Sequence, residues 1–124
     1  MINSIILGKD EIKRTYLTHL INQYSDLDII ENTDLLKNLQ NSIQNHSIDL
    51  IFLFDDFDEI DVFDIVNCWH SEIGVIMISK TPELAAKCYA YRNIIDFLTL
   101  PLDAARFMKS VAKIYSTQPL KSPL

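Results

Sequence analysis

The chain has 124 residues, 48% of them hydrophobic and 23% charged, and a formal net charge of −6. That is the size and balance of one globular domain able to bury its own core. Apolar runs of about five residues fall far short of the ~20 needed to span a membrane. The sequence does not open with a basic segment followed by an apolar one, and a negative chain without a basic face is repelled by nucleic-acid phosphates. A cytoplasmic setting is expected, with no membrane contact and no direct nucleic-acid binding.

Ser4-Ile5-Ile6-Leu7 is a strand that ends at Gly8, and Ile12, Tyr16, Leu17, Leu20, Ile21 and Tyr24 then recur at helical spacing. Leu27 to Ile30 forms a second strand; Asn32-Thr33-Asp34 supplies caps for a helix whose apolar face is Leu35, Leu36, Leu39 and Ile43. Next comes Asp49, then Leu50-Ile51-Phe52-Leu53-Phe54, then Asp55-Asp56. A short continuous apolar run of this kind is a buried parallel strand whose end opens into a polar crevice. A shorter helix from Val62 to Trp69 buries some or all of Phe63, Val66 and Trp69. Val75 to Ile78 is the fourth strand, and Thr81-Pro82 reads as an N-cap followed by proline at the first helical position. Ile94 to Leu98 is a brief fifth strand. Asp103 caps a last helix with Phe107, Met108, Val111, Ile114 and Tyr115 on one side.

Strand and helix thus alternate five times, which predicts an α/β fold: a doubly wound (βα)5 parallel sheet with helices on both faces. Residues 1–116 form the domain; 117–124, with two prolines and no periodicity, read as a tail or the start of an interdomain linker. In such sheets chemistry sits outside the carboxyl ends of the strands. Two isolated glycines, Gly8 and Gly74, cannot build a dinucleotide fingerprint or a P-loop. Cys68 and Cys88 are expected to be buried thiols rather than a disulfide or metal pair. His19, His46 and His70 have no paired spacing and are expected to be surface or helix-face histidines. The acids Asp55, Asp56, Asp58, Glu59, Asp61 and Asp64 lack EF-hand spacing and form a solvated, helix-capping loop.

The layout resembles the receiver domain of bacterial two-component response regulators. The resemblance runs from Ile2 to about Tyr115 and rests on two segments. Asp49 to Leu53 with Ile60-Asp61-Val62-Phe63-Asp64-Ile65 matches, without a gap, the family's third strand, phosphoacceptor loop and third helix. Ile95-Asp96-Phe97-Leu98-Thr99-Leu100-Pro101-Leu102-Asp103 matches its "DYLxKPxD" segment and, with Ala104 to Phe107, looks closest to receivers of the LytTR-output group. The resemblance implies a flavodoxin-like receiver fold with strand order 2-1-3-4-5. It also implies a site in which two acids and an acceptor aspartate hold Mg²⁺ while a hydroxyl and a lysine contact the phosphoryl oxygens, the ordinary needs of phosphoryl transfer.

Carried over position by position, the first acid is Lys9, the second is Asp10, and the acceptor is Phe54. The hydroxyl survives as Ser79, the lysine is Leu100, and the state-reporting aromatic of strand five is Phe97. A phenyl ring cannot accept a phosphoryl group, so the chain looks like a degenerate pseudo-receiver, not an enzyme, with no metal and no cofactor, Mg²⁺ included. In this reading the Lys9 ammonium takes the metal's place between Asp10 and Asp56. The family analogy places protein contacts, to a partner or to a second copy, on the helix 4, strand 5, helix 5 face, here with Tyr89, Tyr91 and Phe107. Three alternatives stay open: a phosphorylatable receiver using Asp55, which a one-residue slip would bring to the acceptor position, or Asp56; a cation held without phosphorylation by Asp10, Asp55 and Asp56, with Glu11 nearby; and a regulatory module of a LytTR-type DNA-binding regulator whose output domain lies outside this chain.

Overall fold

The computed structural model describes residues 2–68 and 72–117. The elements alternate as expected: β1 (Asn3–Leu7), α1 (Glu11–Tyr24), β2 (Asp28–Thr33), α2 (Leu36–Asn45), β3 (Leu50–Phe54), α3 (Val62–Val66), β4 (Gly74–Ser79), α4 (Leu84–Cys88), β5 (Ile94–Thr99) and α5 (Ala104–Thr117). The strands form one sheet in the order β2-β1-β3-β4-β5, and every neighbouring pair is parallel. The flavodoxin-like order implied by the resemblance is the observed one.

The continuous apolar run of β3 is explained by its place at the centre of the sheet, covered on both faces. Its side chains alternate. Leu50, Phe52 and Phe54 join Leu17, Leu20 and Ile21 of α1 and Phe107, Val111 and Ile114 of α5 in one core. Ile51 and Leu53 join Leu39 of α2, the four apolar residues of α3 and Cys88 of α4 in the other. Phe52 meets Phe107 with ring centroids 6.3 Å apart, a contact that ties the central strand to α5.

Several element ends differ from the sequence reading. β2 begins one residue later and runs to Thr33, because Thr33 pairs with Leu7 at the end of β1. Thr33 therefore does not cap α2 as a helix residue. Its hydroxyl oxygen instead accepts hydrogen bonds from Leu35 N (3.1 Å) and Asn38 Nδ2 (2.8 Å) in the turn. Leu35, placed on the apolar face from sequence, is 53% exposed at the start of the helix. On α1, Ile12 and Tyr16 lie about 100–140° round the helix from Leu17 and stay in solvent. Met108 and Tyr115 stand about 80–100° off the Phe107 stripe of α5 and are likewise exposed. Thr81-Pro82 forms a turn preceding α4 rather than its cap, with Leu84 N donating to Thr81 O. Asp61 and Asp103 are caps as expected, accepting from Phe63 N and Arg106 N. Trp69, His70 and residues 118–124 lie outside the described residues.

Candidate functional site

The order β2-β1-β3 reverses the direction of winding between β1 and β3, and the crevice beyond their carboxyl ends is where this architecture gathers functional groups. Gly8 follows β1 and Phe54 ends β3, one on each side of that point. Phe54 is 1% exposed and paired with Ile78 of β4, in register with the rest of its strand. Its ring lies against the Gly8 backbone: a Cβ added at Gly8 would stand 2.7 Å from Phe54 Cδ2 and 3.0 Å from its Cβ and Cγ. Gly8 has an ordinary negative φ, so what this position requires is the absence of a side chain. Leu100, half-buried after β5, packs on the same apolar core. Carbon fills the centre of the crevice.

The acids stand round that centre, each already occupied. Asp56 accepts from two backbone N–H groups of the β1–α1 loop, Lys9 N at 2.8 Å and Asp10 N at 2.9 Å, one to each carboxylate oxygen. The Asp10 carboxylate turns away to cap α1, accepting from Ile12 N and Lys13 N, with Lys13 Nζ 4.0 Å distant. The expected placement of the Lys9 ammonium between Asp10 and Asp56 is therefore corrected. Lys9 Nζ pairs instead with Asp58 at 3.3 Å, both side chains largely in water. The reason is local: the two amides already satisfy both oxygens of Asp56 in the loop, and a solvated lysine loses less by staying outside.

Ser79, 1% exposed at the end of β4, donates from its hydroxyl to Asp55 Oδ2 at 3.2 Å and accepts from Thr81 N at 2.9 Å. Phe54 is thus not slipped out of register, yet it is Asp55 that reaches the surviving hydroxyl. Cys88 lies near this group; burial, reinforced by the Asp55 charge, pushes its thiol pKa up, which keeps it protonated and unreactive. Cys68 corrects an expectation: it is exposed, donating from Sγ to Asp64 O. Of the histidines, His19 and His46 are exposed as expected.

No protein-family model matches the chain. No curated protein is similar to it in sequence either. Solved structures do match: the response regulatory domain of protein mrkE from Klebsiella pneumoniae superposes with a TM-score of 0.81 at 18% identity, over 96% of this chain and 99% of that one. The fold is that of a receiver domain. A response regulator receiver domain protein from Clostridium thermocellum agrees at TM-score 0.77 and 14% identity, covering 98% of this chain and all of the other. The RcsB response regulator of Salmonella typhimurium, in a structure described for its conformational dynamism for DNA interaction, matches at TM-score 0.77 and 10% identity. There 94% of this chain is covered but only 60% of the longer one.

In a receiver the crevice would be expected to hold Mg²⁺, and the residues here do not fit it. The end of β3 is the phenyl ring of Phe54, both oxygens of Asp56 are taken by amides, Asp10 is a helix cap, and Asp55 faces Ser79. Among the described residues no three acidic, histidine or cysteine side chains are grouped to hold a metal ion. The alternative set Asp10, Asp55 and Asp56 is thus not assembled.

The strongest electrostatic feature of this receiver fold lies elsewhere, on β5 and α5, and was missed from sequence. Asp96 is buried on the α5 side of β5 and accepts two hydrogen bonds from Arg106 (2.8 and 2.9 Å) and one from Lys113 (2.9 Å), with Phe97 N adding a fourth. Burial alone would raise its pKa. The hydrogen bonds and the Arg106 charge outweigh that and hold it at about 2, and Asp96 in turn raises that of Arg106. A visible signal existed: an acid inside an apolar strand, followed by two cations seven residues apart on one face of the next helix. On the same side of the domain, Tyr89 is 91% exposed. Tyr91 is half-buried, its ring stacked on Phe63 at 5.0 Å. Phe107 is removed from the candidate interaction face, because it is fully buried against Phe52. Phe97 is half-buried and packs on the α3–α4 core.

Proposed function

We propose that this domain is an atypical receiver that works as a phosphorylation-independent signalling and protein-interaction module, without Mg²⁺. The observation that carries the reading is Phe54, buried at the acceptor position against Gly8. Leu100 supports it by standing where the family's lysine would neutralise a phosphoryl group. A carbon-filled crevice has no charge to gain or lose, so the domain holds one conformation instead of switching between two. Contacts to a protein partner or a second copy use the α4–β5–α5 side, where exposed Tyr89, half-buried Tyr91 and the Asp96–Arg106–Lys113 cluster provide an aromatic and ionic surface. The test is a thermal melt with acetyl phosphate or beryllofluoride, each with and without Mg²⁺. A ligand bound only by the native state raises the melting temperature by mass action; no Mg²⁺-dependent rise is expected, and a large one overturns the reading.

One observation favours a second reading. The Ser79–Asp55 hydrogen bond supplies a carboxylate beside the hydroxyl that contacts phosphate in working receivers. Acceptance at Asp55 would appear as a hydroxylamine-labile adduct in the intact mass after acetyl phosphate treatment, lost in Asp55→Asn.

A further inference from the structure

We propose that the groove between the start of α1 and the β5–α5 connection binds a small soluble amphiphile with an alkyl or aryl body and one carboxylate. The groove is open to solvent and has a volume of about 450 Å³, within the range of small-molecule sites, which are mainly apolar with a few charged groups fixing orientation. Its walls are Ile12 and Tyr16 of α1 with Leu100 and Leu102 across from them. Ile12 is 80% and Tyr16 45% exposed, so two large apolar side chains of the same helix stand in water beside a concave carbon surface.

The charged residues of the lining are Lys13 and Lys80, both cations in a chain of net charge −6. Lys13 reaches an acid only at 4.0 Å, and Lys80 has no carboxylate within ion-pair distance among the described residues. The lining is almost entirely carbon, so Lys13 and Lys80 present their stems to the groove; their under-neutralised ammonium groups favour an anionic head, and the carbon walls select the body attached to it. Leu100 connects the groove to the crevice. Its backbone N–H donates to Ser79 O at 3.0 Å, and the leucine that stands in place of a phosphate-contacting lysine is also a wall of the groove. Resting on the proposed loss of phosphorylation, the groove gives this domain a carboxylate ligand that is bound to its single conformation, without a switch.

The experiment is a two-dimensional ¹H–¹⁵N NMR titration of the full chain with octanoate, with octan-1-ol and vesicles of anionic phospholipid as separate arms. Octanoate is expected to give saturable shifts confined to the amides of Ile12, Lys13, Tyr16, Lys80, Leu100 and Leu102. The double variant Lys13→Gln, Lys80→Gln is expected to weaken octanoate roughly tenfold and to leave octan-1-ol unaffected. The absence of saturable shifts overturns the proposal, as does octan-1-ol binding as tightly as octanoate. Binding to vesicles alone, or the same amides shifting with protein concentration in the absence of ligand, assigns the groove to a membrane or a second copy and overturns it too. Beryllofluoride with Mg²⁺ added to the same sample reads the phosphorylation question separately. A response there beside intact octanoate binding rejects the functional reading and keeps the groove; silence in both rejects the groove alone.

Discussion

Whether Phe54 truly occupies the crevice can be decided by a double-mutant cycle with Gly8. A methyl at Gly8 would stand 2.7 Å from Phe54 Cδ2 and 3.0 Å from Cβ and Cγ. Two of these three atoms belong to the ring, and Cβ is tied to the backbone of a central strand. Gly8→Ala should therefore cost about 1–3 kcal/mol by overpacking. Phe54→Ala, at a site 1% exposed, should cost about 3–5 kcal/mol as lost burial plus cavity. In the Phe54→Ala background the new methyl enters vacated space, so Gly8→Ala should cost no more than about 0.5 kcal/mol, leaving a coupling of ~1–2 kcal/mol between the positions. Urea unfolding followed by far-UV circular dichroism measures all four corners, provided the slopes agree. Phe54→Leu serves in place of Phe54→Ala if the latter leaves too little native protein. Additive costs, with coupling within about 0.5 kcal/mol of zero, would mean the ring does not lie on Gly8 and would remove the structural basis for reading the acceptor site as filled.

Asp96→Asn should destabilise by about 2 kcal/mol at pH 7, since the carboxyl is held at about 2 against an ordinary 3.8 and each unit is worth about 1.4 kcal/mol. Because the folded pKa is depressed, this contribution is complete above about pH 4 and disappears as pH falls towards 2. Urea midpoints of wild type and variant should therefore converge in acid, and a constant gap across that window contradicts the assignment. Asp56→Ala should cost about 1–1.5 kcal/mol by removing the acceptor of the exposed Lys9 amide and the part-buried Asp10 amide, whereas Lys9→Ala should stay within about 0.5 kcal/mol as an exposed pair. The reverse ranking in chemical denaturation would reinstate Lys9 as the cation of the site. Phe107→Ala should lower the melting temperature sharply by opening a core cavity next to Phe52. Tyr89→Ala should leave it nearly unchanged and weaken only partner or self-association, read by sedimentation; equal thermal effects would place both residues in one environment.

Much of the architecture was legible because burial on two faces leaves a distinctive mark. β3 is apolar throughout, and β1 and β4 contain the apolar runs Ile5 to Leu7 and Val75 to Ile78, as strands of a parallel sheet covered by helices require; the gapless segment from Asp49 to Ile65 kept Phe54 in phase with the helix cap at Asp61. Element ends were less legible. Thr33 carries both β propensity and capping chemistry, and its pairing with Leu7 decided between them. The exposure of Ile12 and Tyr16 was hidden because helical spacing shows which residues are apolar but not how wide a face the sheet covers.

What sequence alone determined is the identity of the groups available: a phenylalanine at the end of β3, a leucine before Pro101, and a glycine directly after β1. Only the tertiary structure decided where the remaining charges went. A carboxylate takes the donors that folding brings nearest, and these were the backbone amides of Lys9 and Asp10 for Asp56, the hydroxyl of Ser79 for Asp55, and Arg106 with Lys113 for Asp96. Those donors lie as many as 47 residues away along the chain. Residue type limits what chemistry is possible, but hydrogen-bond geometry between distant segments assigns it, because desolvated charges settle only where partners already point at them.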